Sequence, residues 1–254
     1  MINTLLMAVL GPVLLGQGIY TRIKTPKLAE PDGPRAGQAG TGSPLRVLIL
    51  GDSAAAGVGV QRQDDALSGH VVRNLSSDFC VSWQLLARSG LNTEEVQTML
   101  SIALETNSLE SSTLASPMLE RFDVAVLSVG VNDVTGRATD QAWLDQVQSL
   151  LETLETTFNV RHVVLAPVPP MHAFPALPQP LRWWLGRRAQ QFNAGLTRLV
   201  NNNPSCTLLP GDFPLDPLMM AEDGFHPGLP IYRLWGQEVA EAIKCWHCQM
   251  RIPR

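Results

Sequence analysis

The chain has 254 residues, 45% of them hydrophobic, with 19 basic and 23 acidic side chains that leave a net charge of −4. That length accommodates one α/β domain with a substantial core and is short for two. The acidic balance excludes the basic stripe of a nucleic-acid-binding surface, and no repeat period, P-loop, paired-glycine fingerprint or His-Glu-x-x-His run gives reason to expect a cofactor or a metal.

An apolar stretch comes first. Met1 to Thr21 carries no charged side chain and nearly matches the ~20 residues of a bilayer-spanning helix, with Gly11-Pro12 as an interruption that such a helix tolerates. Nothing basic precedes the run, no Ala-x-Ala site follows it, and Arg22, Lys24 and Lys27 come directly after. Residues 1–21 therefore read as a membrane anchor, with the positive flank expected to put the C-terminal domain on the cytoplasmic side. The alternatives are an exported protein with a cleaved leader and an apolar segment packed on the domain. Residues 22–44, rich in Pro, Gly and Ala, read as a linker, and the domain is expected over residues 45–254.

Within that domain five strand-like runs alternate with helical stretches. Leu45–Leu50, Val81–Leu86, Val124–Val129, His162–Ala166 and Thr207–Leu209 are mostly short and nearly continuously apolar, as strands covered on both faces are. Helical patterns fall at Asp64–Ser77, Thr93–Ala103, Asp140–Phe158, Leu181–Asn201 and Pro230–Cys245, and Asn92 with Glu95 forms a capping arrangement before the second. This alternation predicts a three-layer α/β/α sandwich around a mostly parallel five-stranded sheet. Cys80 and Cys206 read as small buried residues. Cys245-Trp246-His247-Cys248 has no second ligand pair and sits at a helix end, so it reads as a frayed terminus or an incidental disulfide.

Polar segments follow four of the five strands. Gly51-Asp52-Ser53 ends the first, Arg88-Ser89-Gly90-Leu91-Asn92 the second, and Gly130-Val131-Asn132-Asp133 the third. Asp223-Gly224-Phe225-His226-Pro227-Gly228 lies beyond the fifth. Each alone is ordinary turn chemistry. Together they fall on the carboxyl edge of one sheet, where parallel α/β proteins bind ligands.

These blocks, in this order, resemble those of the SGNH hydrolases, also called the GDSL esterase/lipase family, over about residues 45–243. The resemblance implies the flavodoxin-like SGNH fold and a serine hydrolase that cleaves carboxylic esters without a cofactor or metal. It implies Ser53 as nucleophile, with Asp223 and His226 completing a triad. It also implies an oxyanion hole from the Ser53 and Gly90 amides and the Asn132 side chain. One departure is Ala54, where the longer family signature has leucine. Among five histidines, only His226 has a carboxylate three residues earlier in a Gly- and Pro-bounded loop. Asp212, Asp216 and Glu222 are near it but lack that spacing. Asp52 and Asp133 are expected to fix loops through backbone hydrogen bonds. The Gly-x-Ser-x-Gly elbow of α/β-hydrolases is absent, since Ala55 stands two residues after Ser53.

Phe174, Phe225 and His172 are expected to contact a small ester substrate, which the anchor would favour as lipid-like. Trp183 and Trp184 are further candidates for an apolar wall. Acyl transfer and thioesterase or lysophospholipase action would use the same residues. A non-catalytic scaffold is the remaining alternative, opposed by the intact set of site residues.

Overall fold

A computed structural model of the chain describes residues 4–110, 121–211 and 216–250. The apolar runs become strands: β1 (Ala36–Ala39), β2 (Ser43–Gly51), β3 (Phe79–Ala87), β4 (Val124–Ser128), β5 (His162–Leu165) and β6 (Cys206–Leu208). They form one sheet in the order β1-β3-β2-β4-β5-β6. Every neighbouring pair is parallel except β1 with β3. All residues of β4 and β5 are buried, because helices cover both sheet faces.

The helices are α1 (Thr4–Lys24), α2 (Ser53–Ala56), α3 (Leu67–Leu75), α4 (Thr93–Glu110), α5 (Val131–Thr135), α6 (Asp140–Thr156), α7 (Leu181–Asn201) and α8 (Leu229–Met250). Alternate residues of β2 point into two separate cores, as the two-residue period of a strand requires. Leu48 and Leu50 join the side chains of α4, α6 and α7, whereas Val47 and Ile49 join those of α3 and α8. The expected three layers are present.

The sheet has six strands rather than five. The extra strand comes from the segment read as a linker: Ala36–Ala39 pairs antiparallel with β3, and the Leu85 amide donates to the Arg35 carbonyl at 2.7 Å. Ala-Gly-Gln-Ala has none of the β-branched or aromatic residues that mark strands. Its place at the edge rests on backbone pairing. Residues 22–44 are thus bound along the domain over much of their length and do not form a free tether.

The anchor expected over residues 1–21 is not supported either. Among the described residues no helix is long and apolar enough to cross a membrane; residues 1–3 lie outside them. Three glycines, Pro12, Thr4 and Gln17 dilute the apolar content of α1. Leu14 is buried in the core, and the Gln17 side chain donates to the Gln179 carbonyl at 2.6 Å and accepts from the Leu181 amide at 3.0 Å. α1 therefore packs on the start of α7.

The cysteine-bearing end of the chain is helical. Cys245 and Cys248 are exposed and outside any disulfide, while Trp246 between them stacks on His162, ring centroids 5.2 Å apart. Cys80 and Cys206 are half-buried rather than fully buried.

Candidate active site

β2 ends in a crowded turn. A Cβ on Gly51 would lie 2.1 Å from the Ser128 carbonyl oxygen of the neighbouring strand, so only glycine lets the two backbones approach this closely. The chain then enters α2. Asp52 is its N-cap, and its Oδ1 accepts from the Ala54 amide at 3.0 Å while its own amide donates to Ser128 at 3.1 Å. Ser53 is therefore the first residue of a short helix at the carboxyl edge of the sheet.

Burial pushes the Asp52 carboxyl up to about 6, against the opposing pull of the Ala54 amide and of His226. A raised carboxylate pKa favours the folded state most while the group is protonated. This contribution is complete below the unfolded value of about 4 and is lost as pH rises through about 6. Asp52→Asn keeps the cap acceptor and cannot ionise. Urea unfolding is expected to find the variant gaining on the wild type between about pH 4 and pH 7, by roughly 3 kcal/mol at the upper end.

His226 approaches Ser53 from the loop before α8. The Gly224 amide donates to Ala221, and the Ala221 amide to His226, both at 2.9 Å, which closes a tight turn. Within it Asp223 Oδ1 accepts from the amides of Phe225 and His226, each at 2.9 Å. Its Oδ2 lies 2.5 Å from His226 Nδ1, and His226 Nε2 lies 3.0 Å from Ser53 Oγ. Burial raises the Asp223 pKa, but the hydrogen bonds from the His226 ring and the two amides outweigh it and hold the carboxyl below its ordinary value. An ionised carboxylate only accepts, so Nδ1 must carry the imidazole proton. That leaves Nε2 free to accept from the Ser53 hydroxyl.

A second group of residues forms beyond β3 and β4. Asn132, in α5, donates from Nδ2 to the Leu91 carbonyl at 2.8 Å, which leaves its other N–H for a further acceptor. Asp133 beside it accepts from the Thr93 hydroxyl at 2.9 Å and from the Thr93 amide, and Trp143 donates to the same hydroxyl at 3.0 Å. Asp52 and Asp133 thus both hold backbone in place. Gly90 has φ +84°, a left-handed conformation that favours glycine, and open space where a Cβ would stand.

Ser53 and His226 open onto a cavity of about 90 Å³ with almost wholly apolar walls. Phe174 and Phe225 line it and meet edge to face, ring centroids 5.2 Å apart. The proline-rich loop contributes Pro167, Pro169 and Pro170. Met220, Ile231 and Trp235 also line it and were not anticipated. The last two are four residues apart, one helical turn, directly after the Asp-x-x-His block, and that spacing was a usable signal.

The structure does not bring His172, an expected substrate contact, to this cavity. The 3₁₀ turn Met171–Ala173 turns Met171 inward and leaves His172 exposed, with its backbone and Cβ against Gly186 of α7. Trp183 and Trp184 do not line the cavity either; Trp183 is exposed and Trp184 packs on the core. His70 is buried against Gly236, and His162 is buried beside Thr207 at 2.9 Å. Asp216 caps a 3₁₀ turn through the Leu218 amide and Glu222 is exposed, while Asp212 lies outside the described residues. Among the described residues, no group of three or more His, Cys, Asp or Glu side chains is placed to hold a metal ion.

A family model described as the GDSL-like Lipase/Acylhydrolase family matches residues 49–234. No curated protein matches the chain significantly. Among solved structures, the psychrotrophic esterase EstA from Pseudoalteromonas sp. aligns with a TM-score of 0.57 at 17% identity, over 79% of this chain and 97% of its own. The carbohydrate acetylesterase Est24 from Sinorhizobium meliloti gives 0.55 at 16% identity, over 80% and 99%. A lipase/acylhydrolase from Enterococcus faecalis gives 0.53 at 18% identity, over 80% and 96%. At these identities the structural likeness speaks for the fold.

Proposed function

The chain belongs to the GDSL-like lipase/acylhydrolase family and is a hydrolase of the esterase type, and from that premise we propose that it cleaves carboxylic esters with apolar acyl groups through an acyl-serine intermediate. One observation carries the reading: Asp223, His226 and Ser53 form a continuous relay with spacings of 2.5 and 3.0 Å. Ser53 Oγ attacks the ester carbonyl while His226 Nε2 takes its proton, then returns that proton to the departing alcohol. A water molecule, deprotonated by the same nitrogen, releases the acid and restores Ser53. Asp223 keeps the imidazole in the required tautomer and stabilises its charged form.

The carbonyl oxygen becomes an oxyanion in each tetrahedral intermediate. The amides of Ser53 and Gly90 and the free N–H of Asn132 are the donors we assign to it. Asn132→Ala is expected to lower kcat by about 10²–10³, the usual cost of one such donor. The loss of its bond to Leu91 should lower the melting temperature only slightly. A variant that retains full turnover would remove Asn132 from the oxyanion hole. Phe174 and Phe225 line an apolar cavity beside the nucleophile, which supports an apolar acyl group over a charged one.

The experiment is hydrolysis of nitrophenyl esters of graded acyl length by the full chain, with fluorophosphonate labelling mapped by peptide mass. Turnover of uncharged acyl esters and an adduct on Ser53 are expected. An adduct confined to another residue, or no turnover across the series, would overturn the proposal. Product analysis with added alcohol separates hydrolysis from acyl transfer.

A further inference from the structure

Glu30 lies before the family-matched segment, in the stretch that leads into β1. Its Oε1 accepts from both the Ser89 amide, at 2.7 Å, and the Ser89 hydroxyl, at 2.8 Å. Its Oε2 accepts from Arg35 at 2.9 Å, and the other arm of Arg35 donates to the Ala87 carbonyl. Two residues of the N-terminal strap therefore grip the loop on both sides of Arg88. The Arg88 amide in turn donates to the Gly51 carbonyl at 3.3 Å, two residues before Ser53.

The other end of this loop is also fixed. Asn132 holds the Leu91 carbonyl at 2.8 Å, and Asn92 and Glu95 cap each other's amides at 2.9 Å. Between these anchorages stands the Ser89–Gly90 peptide. The direction of the Gly90 N–H depends on the torsions of Ser89 and Gly90. Gly90 has no side chain to restrain it, and the space where a Cβ would stand is open.

We propose that Glu30 is a positioning residue for ester hydrolysis: by pinning Ser89 at two atoms it fixes the Gly90 N–H toward the oxyanion. This rests on the assignment of Gly90 as an oxyanion donor. Charge-assisted bonds to a backbone amide are stronger than neutral ones, whereas an ion pair as exposed as Glu30–Arg35, at 28% and 38%, adds little to global stability. The clamp therefore acts on loop geometry more than on the fold. Burial raises the Glu30 pKa, but its bonds to Ser89 and Arg35 outweigh this and hold the carboxyl below the ordinary glutamate value. It is therefore charged at neutral pH.

E30A, E30Q and S89A in the full chain test the proposal. E30A is expected to lower kcat on a nitrophenyl ester by about 10–100-fold, less than outright loss of a donor. KM should stay within about twofold, since the substrate gains this contact mainly in the transition state. Affinity for a trifluoromethyl ketone, whose serine adduct carries an oxyanion, should fall by the same factor as kcat/KM. E30Q keeps an acceptor for Ser89 but loses Arg35, and should fall between. Wild-type kcat in E30A, or a kcat loss without a matching loss of ketone affinity, would overturn the clamp.

Hydrogen exchange at the Ser89 amide reads the clamp without any reaction. Faster exchange in E30A supports it, and unchanged protection overturns it. A wild-type chain that hydrolyses no ester defeats the esterase reading alone, and the exchange comparison still decides the role of Glu30. Should E30A fail to fold, S89A deletes only the hydroxyl contact and is expected to show the same kinetic signature at several-fold size.

Discussion

Ser53→Ala is expected to lower kcat for ester hydrolysis by roughly 10⁴–10⁶, with the fold intact. The serine oxygen makes one side-chain hydrogen bond, the 3.0 Å contact with His226, whose ring remains held by Asp223 in the variant. Alanine suits the first turn of α2, and the cap at Asp52 does not involve the hydroxyl. Unfolding free energy should therefore change by about 1 kcal/mol or less. The chemistry loses its only covalent route, so what persists is water attack assisted by substrate binding and the oxyanion donors. His226→Ala should cost about as much. The double variant should be no slower than either single one, because the two groups act as a unit. A Ser53→Ala protein within tenfold of the wild type would show that another residue attacks the ester.

The strand-end placement of Ser53, Gly90 and Asn132 could be read before any coordinates because the sheet is buried on both faces. Nearly all-apolar runs such as Leu45–Leu50, broken only by Arg46, and Val124–Val129, broken only by Ser128, mark such strands, and the polar residues after them then lie on one edge. Asp223 and His226 were legible through their spacing, since three residues in a tight turn bring the carboxylate to the ring. β1 was not legible, because Ala36–Ala39 is held by backbone bonds that any residue but proline can make. Glu30 left no signal for a related reason. A single glutamate in a polar stretch has no periodicity, and its partner Ser89 is 59 residues away.

Two other segments sit differently from what their sequences suggest, because a segment's packing depends on its neighbours in space. The apolar N-terminal run looked like an anchor in isolation, yet Leu14 and Gln17 give it a seat on α7. His172 looked like a substrate contact because its loop follows β5, and that loop does reach the cavity through its prolines and Phe174. The direction of each side chain within the loop is set by the intervening 3₁₀ turn, which the proline-rich sequence did not reveal.

Asp223→Asn carries the second large effect, a fall in kcat of ~10⁴. The change keeps shape and volume, and the asparagine carbonyl can still accept from the amides of Phe225 and His226. What changes is the group facing His226 Nδ1. An amide NH₂ there donates, so the imidazole is driven to place its proton on Nε2. In that tautomer Nε2 cannot accept from Ser53, and the attack loses its base although the three residues remain near one another. The imidazolium formed during attack also loses the carboxylate that stabilises it. KM should therefore change far less than kcat, and fluorophosphonate labelling should slow in step with hydrolysis. The native carboxylate is held below its ordinary pKa, so it stabilises the fold above the unfolded value of about 4 and loses that contribution as pH falls through its lower folded value. Asp223→Asn removes this contribution, and its stability deficit should be largest near neutral pH and shrink in acid. A tenfold or smaller loss of kcat at neutral pH, with the fold intact, would mean that the 2.5 Å contact orients the loop without governing the proton on His226.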